Sequence, residues 1–145
     1  MMNADQLDKV ALVARTEENK AAGALQQKRQ AVHDSQQRLG QLEAFRQEYE
    51  KRLEGMASSG MDARQMADYR RFLAGLNQAI AQQGHEVSRG EVQVSESRED
   101  LRDRSLRRGS LDELISRTRV SIRQDLERKE QRLNDERAML QPPSD

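Results

Sequence analysis

With 145 residues the chain has the length of one domain, yet only 34% of it is hydrophobic, no more than is charged, and it contains no Trp. That balance excludes a globular core enclosing a pocket; two helices sharing one narrow seam satisfy it, because a seam needs only about two apolar residues per heptad. A formal net charge of zero disfavours bulk attraction to nucleic acid or to a membrane, and the absence of Cys removes disulfides and thiolate metal sites.

Disorder is the competing reading of so polar a chain. The balanced charge, the lack of Pro before Pro142 and the wealth of Gln, Arg, Glu, Leu and Ala favour helix instead. The opening Met-Met-Asn-Ala-Asp-Gln lacks the apolar stretch of a signal peptide, and no window approaches the roughly 18 apolar residues of a membrane helix. A soluble, cytoplasmic protein is expected.

The first predicted helix covers about residues 4–55. Steps of four and three from Leu7 pass through Ala11, Ala14, Glu18, Ala21, Leu25, Lys28, Val32, Ser35, Leu39, Leu42, Arg46, Tyr49, Leu53 and Met56, with eleven of the fifteen slots apolar and most charges off the stripe. The early part of this seam is Ala-rich and reads as weak, the part from Leu39 to Leu53 as strong. Asn3 or Asp5 is placed to cap the start. A turn over residues 56–61 follows, where Gly55 or Gly60 can take the left-handed conformation. Asp62, followed three residues later by Gln65, resembles a capping box and restarts the chain as helix.

The second predicted helix covers about residues 62–140 and ends before Pro142 and Pro143. Its seam runs through Met66, Tyr69, Leu73, Leu76, Ile80, Gln83, Val87, Gly90, Val94, Ser97 and Leu101, loses phase near Ser105 to Ser110, and resumes at Leu111, Ile115, Thr118 and Ile122. Leu126, Lys129, Leu133, Glu136 and Leu140 continue it after a four-residue stutter. The short connection makes the helices antiparallel neighbours, residue i facing roughly residue 117 minus i. Tyr49 then meets Tyr69, Leu42 meets Leu76, Val32 meets Val87, and Leu7 meets Leu111. The fold class is therefore all-α: residues 1–145 form a single antiparallel coiled-coil hairpin whose second helix is longer and overhangs. After Leu111 the stripe of Ile115, Ile122, Leu126, Leu133 and Leu140 has no expected partner within the chain, and such a face reads as a binding surface. Interior glycines such as Gly75 and Gly90 each weaken helix by about 1 kcal/mol relative to Ala, which suggests a rod able to bend.

Little in the sequence suggests chemistry. His33 and His85 fall nearly opposite one another, with Asp34 and Glu86 nearby, but solvated flank residues are the commoner outcome of such a pair. No Gly-rich loop joins a strand to a helix, and a solvated coil buries no carboxylate to tune for acid-base work. No enzyme activity, cofactor, metal or small-molecule substrate is expected. The Arg-rich stretch from Arg98 to Arg108 is interleaved with Glu99, Asp100 and Asp103, which marks a salt-bridging face rather than a nucleic-acid stripe. More specific is the stripe of Phe72, Leu76, Ala79 and Gln83 just past the turn. Leu76 lies in the seam, while Phe72 and Ala79 sit on its shoulder. Phe72 either folds over Phe45 to broaden the core or serves as a docking patch for a second protein.

These residues carry a family resemblance. Leu39-x-x-Leu42-x-x-Phe45-Arg-x-x-Tyr49, the short Gly/Ser break, and Tyr69-x-x-Phe72-Leu73-x-x-Leu76-x-x-Ala79-Ile80 resemble the bacterial flagellar export protein family FliJ. The resemblance implies a stalk-like protein in the pore of the hexameric flagellar export ATPase, promoting ring assembly and activity. It also implies binding to the cytoplasmic domain of the export gate and to export chaperones, at the inner face of the cell membrane. Carried over by position, the gate-binding residues are Phe72, Leu76, Ala79 and Gln83, and the ATPase would hold Ile115, Ile122, Leu126 and Leu133. Two alternatives remain at this level: the equivalent stalk of a virulence type III secretion system, and a coiled coil that self-associates through the Ile115 to Leu140 stripe.

Overall fold

The computed structural model describes residues 3–141. It contains two helices, α1 (Ala4–Ser58) and the longer α2 (Ala63–Leu140), packed against each other as a hairpin. Asn3 starts α1 through a reciprocal capping box. Its side-chain oxygen accepts from the Gln6 backbone N–H at 2.9 Å, and its own N–H donates to Gln6 Oε1 at 3.1 Å.

At the other end α1 runs through Gly55 and stops three residues later than its predicted end, at Ser58. The hydroxyls of Ser58 and Ser59 donate back to the carbonyls of Glu54, Gly55 and Met56 at 2.9–3.2 Å, supplying donors to carbonyls that the ending helix leaves open. Of the two candidate glycines, Gly60 makes the turn, with φ at 91°. The Asp62 carboxylate then accepts from the Gln65 N–H at 2.8 Å and caps α2.

Contacts gather into two compact units. One joins the chain up to Lys20 with the chain from Arg102 onward; the other is Ala21–Leu101. In the first, Leu7, Ala11 and Ile115 form a buried cluster, with Ala14 also buried. In the second, Ala21, Leu25, Leu76 and Val87 are buried together with the polar Ser97.

Two expectations are corrected here. The Ala-rich early seam was read as weak, yet it holds the most buried side chains of α1, whereas Leu39, Leu42, Tyr49 and Leu53 are only half-buried. The most covered side chains of α1 are Leu7 and Leu25, with Ala11, Ala14 and Ala21 next, whereas the large rings of Phe45, Tyr49 and Phe72 are not fully covered by the partner helix. Ile115, expected to lack a partner, is 8% exposed and packs against Leu7 and Ala11. The seam reaches a turn further than Leu111 because the turn lies later than predicted: α1 ends at Ser58 and α2 restarts at Ala63, so residue i faces roughly residue 121 minus i, as Val32 against Gly90 also shows. The uncovered part of α2 therefore begins after Arg119, whose guanidinium still reaches Asp8 of α1 at 2.9 Å.

Gly90 also departs from its reading as a weak spot. A Cβ built there would lie 2.7 Å from Cγ2 of Val32, so the missing side chain is the seat into which Val32 packs. Nothing lies within 4 Å of a Cβ placed at Gly75 or Gly84.

Candidate protein-docking surfaces

In the unit Ala21–Leu101, the aromatic side chains near the turn share one cluster. The Tyr49 ring lies 4.9 Å from that of Phe45, 4.7 Å from Phe72 and 6.2 Å from Tyr69, all tilted. Arg52 stands over the same Tyr49 ring at 5.4 Å. Tyr49 is half-buried and forms the floor, while Phe45 and Phe72 are each 45% exposed, one from each helix. Phe72 packs on a ring of α1 and also faces solvent. The ring beneath it is Tyr49.

The remaining members of the predicted patch differ among themselves. Leu76 is buried, Ala79 is half-buried on the shoulder, and Gln83 uses its amide N–H₂ to donate to the Ser35 carbonyl across the helix pair at 3.0 Å. A partner on this flank would therefore touch Phe72 and Ala79 directly and depend on Leu76 and Gln83 for their support. Phe45, expected only to be covered by Phe72, is itself 45% exposed. Its four-residue spacing from Tyr49 put it on that flank, and its partial exposure appears only when the width of the seam is known. Arg46, in a seam slot, donates through Nη1 to Asn77 Oδ1 at 3.4 Å; its Nε makes no hydrogen bond and lies 3.9 Å from Glu50.

The unit holding both chain ends is laced by charge. Arg104 bonds Glu17 at 2.5 Å, Arg108 bonds Glu18 at 3.1 Å and Asp112 at 3.3 Å, and Arg15 reaches Asp112 at 3.3 Å. The hydrogen bond that Arg108 donates to Asp112, followed by its bond to Glu18 and that carboxylate's charge, raises the Arg108 pKa above its ordinary value, so it stays a cation. This region behaves as the salt-bridging face expected from its interleaved charges.

Apolar side chains nevertheless remain exposed around this unit. At 100° per residue, Leu12 and Val13 point away from the Leu7–Ala11 face on opposite flanks of α1. Leu106, Leu114 and Val120 likewise sit off the Ile115 face of α2, and all five are 47–65% exposed. Past Arg119, the Ile115 face continues as Ile122, Leu126 and Leu133, which are 44%, 57% and 46% exposed, and then Leu140. Three of the four residues assigned to the ATPase contact are therefore open, and Ile115 is closed.

Among the described residues, no group of three or more His, Cys, Asp or Glu is placed to hold a metal ion, and no helix is long and apolar enough to cross a membrane. A family model for the flagellar FliJ protein matches residues 2–142. No curated protein and no solved structure gives a significant match.

Proposed function

The chain belongs to the flagellar FliJ family, a non-enzymatic coiled-coil component of the flagellar export apparatus, and from that premise we propose that it is the stalk joining the export ATPase ring to the export gate. The observation that supports this reading most directly is the girth of exposed apolar side chains on the unit holding both chain ends. A flat docking partner covers one side of a helix pair. Leu12, Val13, Leu106, Leu114 and Val120 face several sides, and a ring closing around the helices would cover them together. Ile122, Leu126 and Leu133 extend that surface along α2, while Ile115 supports it from within by fixing α1 against α2.

At the other unit, Phe72 and Ala79 offer an exposed patch for the cytoplasmic domain of the gate, with Leu76 and Gln83 holding them in position and Phe45 beside them. Export chaperones are further partners on this reading, and the protein works in the cytoplasm, attached to the inner face of the membrane through its partners. The family match favours this flagellar role over the virulence-system stalk.

ATP hydrolysis and ring formation by the export ATPase, followed while the chain is added, test the proposal. Stimulation is expected from the whole chain and lost from one ending at Val120, which keeps the Leu7–Ala11–Ile115 cluster. Full stimulation by the shortened chain would remove the stripe from the contact. Phe72→Ala should abolish capture by the gate domain with helix content nearly unchanged; an equal loss of helicity would make Phe72 a core residue instead.

A further inference from the structure

No side-chain hydrogen bond or ion pair among the described residues involves a residue beyond Arg119, although charged side chains crowd the run from Arg123 to Arg137. Two of them, Lys129 and Glu136, stand in the apolar stripe itself, in the heptad slots between Leu126, Leu133 and Leu140. An uncovered stripe of this kind ordinarily pairs with its own copy. We infer that the two charges in the stripe, Lys129 and Glu136, are what bars that pairing, with the charges beside it adding a lesser repulsion, and that they keep the stripe open for a different protein. Only the identity of that protein, the ATPase ring, rests on the reading above.

Three ways of pairing two copies each meet a specific obstacle. In parallel register, Lys129 faces Lys129 and Glu136 faces Glu136. The flanks add Asp125 against Glu130 and Arg132 against Arg137, so like charges meet at every ionic layer. The antiparallel register that overlaps the whole stripe sets Ile122 against Leu140. It then places Leu126 against Glu136, Leu133 against Lys129, and brings Glu130 to Glu130 and Arg132 to Arg132 across the dyad. Shifting by one heptad matches the charges, Arg123 with Glu130 and Asp125 with Arg132. That shift, however, drives Leu140 of the second copy onto Ile115, where Leu7 and Ala11 already sit.

A partner that fits the stripe has apolar sockets for Ile122, Leu126 and Leu133. It offers a carboxylate to Lys129 and a cation to Glu136. Charges that match one surface and repel another give specificity by excluding the wrong partner.

Analytical ultracentrifugation of the full chain, natural and with Lys129→Leu and Glu136→Leu together, tests this. The natural chain should sediment as one copy of 16.7 kDa over a wide concentration range, and the double variant, whose stripe is apolar in every slot, at twice that mass. Leucine is a good helix former, so circular dichroism should find helix content undiminished in the variant. A natural chain that is itself a dimer, or a variant that stays a single copy, overturns the inference. The experiment needs no other protein. Its failure would leave the ring reading standing, and failure to stimulate the ATPase would leave this result standing.

Discussion

The two compact units join α1 to α2 by different means. Around Leu7 and Ile115 the contact is aliphatic and closed to solvent, with Ala11 and Ala14 beside the larger Leu7 and Ile115, and it is flanked by cross-helix Arg–carboxylate bonds. Around Tyr49 and Phe72 it is wide aromatic and aliphatic side chains, and the ion pairs there, Arg46–Glu50, Arg52–Glu48 and Arg89–Glu86, stay within one helix. The first seam is closed to solvent, and charged pairs on its margins hold its register. A wide seam leaves rings half in solvent, where another protein can reach them. Exposure at the aromatic patch therefore follows from the size of the side chains that build the seam.

The largest test of this contrast is truncation in the two seams. Leu7→Ala should lower stability by about 2–3 kcal/mol, because the closed Ala-lined site cannot collapse around the cavity. Leu42→Ala, at a half-buried position, should cost less, about 1–2 kcal/mol by the same transfer logic, and thermal melting of the two variants would compare them. Equal losses would mean that the seams are not different in kind.

Next come the glycines, which should respond with opposite signs. Gly90→Ala meets the stiff branched side chain of Val32 and should destabilise by about 1 kcal/mol or more. Gly75→Ala enters open space and should stabilise by about 0.5–1 kcal/mol. If both variants melt higher, the Val32 seat is not needed. The smallest effect should come from Glu18→Gln, which removes one partner of Arg108. A slight fall in melting temperature is expected, shrinking as salt is raised, since screening already weakens a surface pair in the natural chain. A loss that is independent of salt would point to packing instead of charge.

Much of the architecture was legible in advance. Heptad spacing marked both helices and their unequal lengths, because one buried face repeating every three or four residues leaves its period in the sequence. The cap at Asp62 could be identified, and the choice narrowed to Asn3 or Asp5 at the start and to Gly55 or Gly60 at the turn, because caps and turns are local chemistry, made by a residue and its near neighbours. The reach of the seam to Ile115 was not legible, because the predicted pairing rested on a turn over residues 56–61, and carrying α1 on to Ser58 shifts the facing pairs by about one helical turn. Nor was the seat at Gly90, since one sequence shows a glycine but not the Val32 methyl that occupies its space.

The sequence by itself determined an all-α hairpin with a polar exterior, a capped turn, and a charged stripe at the end of its second helix. These depend on periodicity, residue conformational preference and charge, all carried by short stretches of chain. Only the tertiary structure decided which apolar residues are closed and which are offered to a partner. That choice depends on the distance between two helices, and the distance is set jointly by side chains far apart in the chain, as where Ala11 and Leu7 admit Ile115 while Tyr49 holds Phe72 half in solvent.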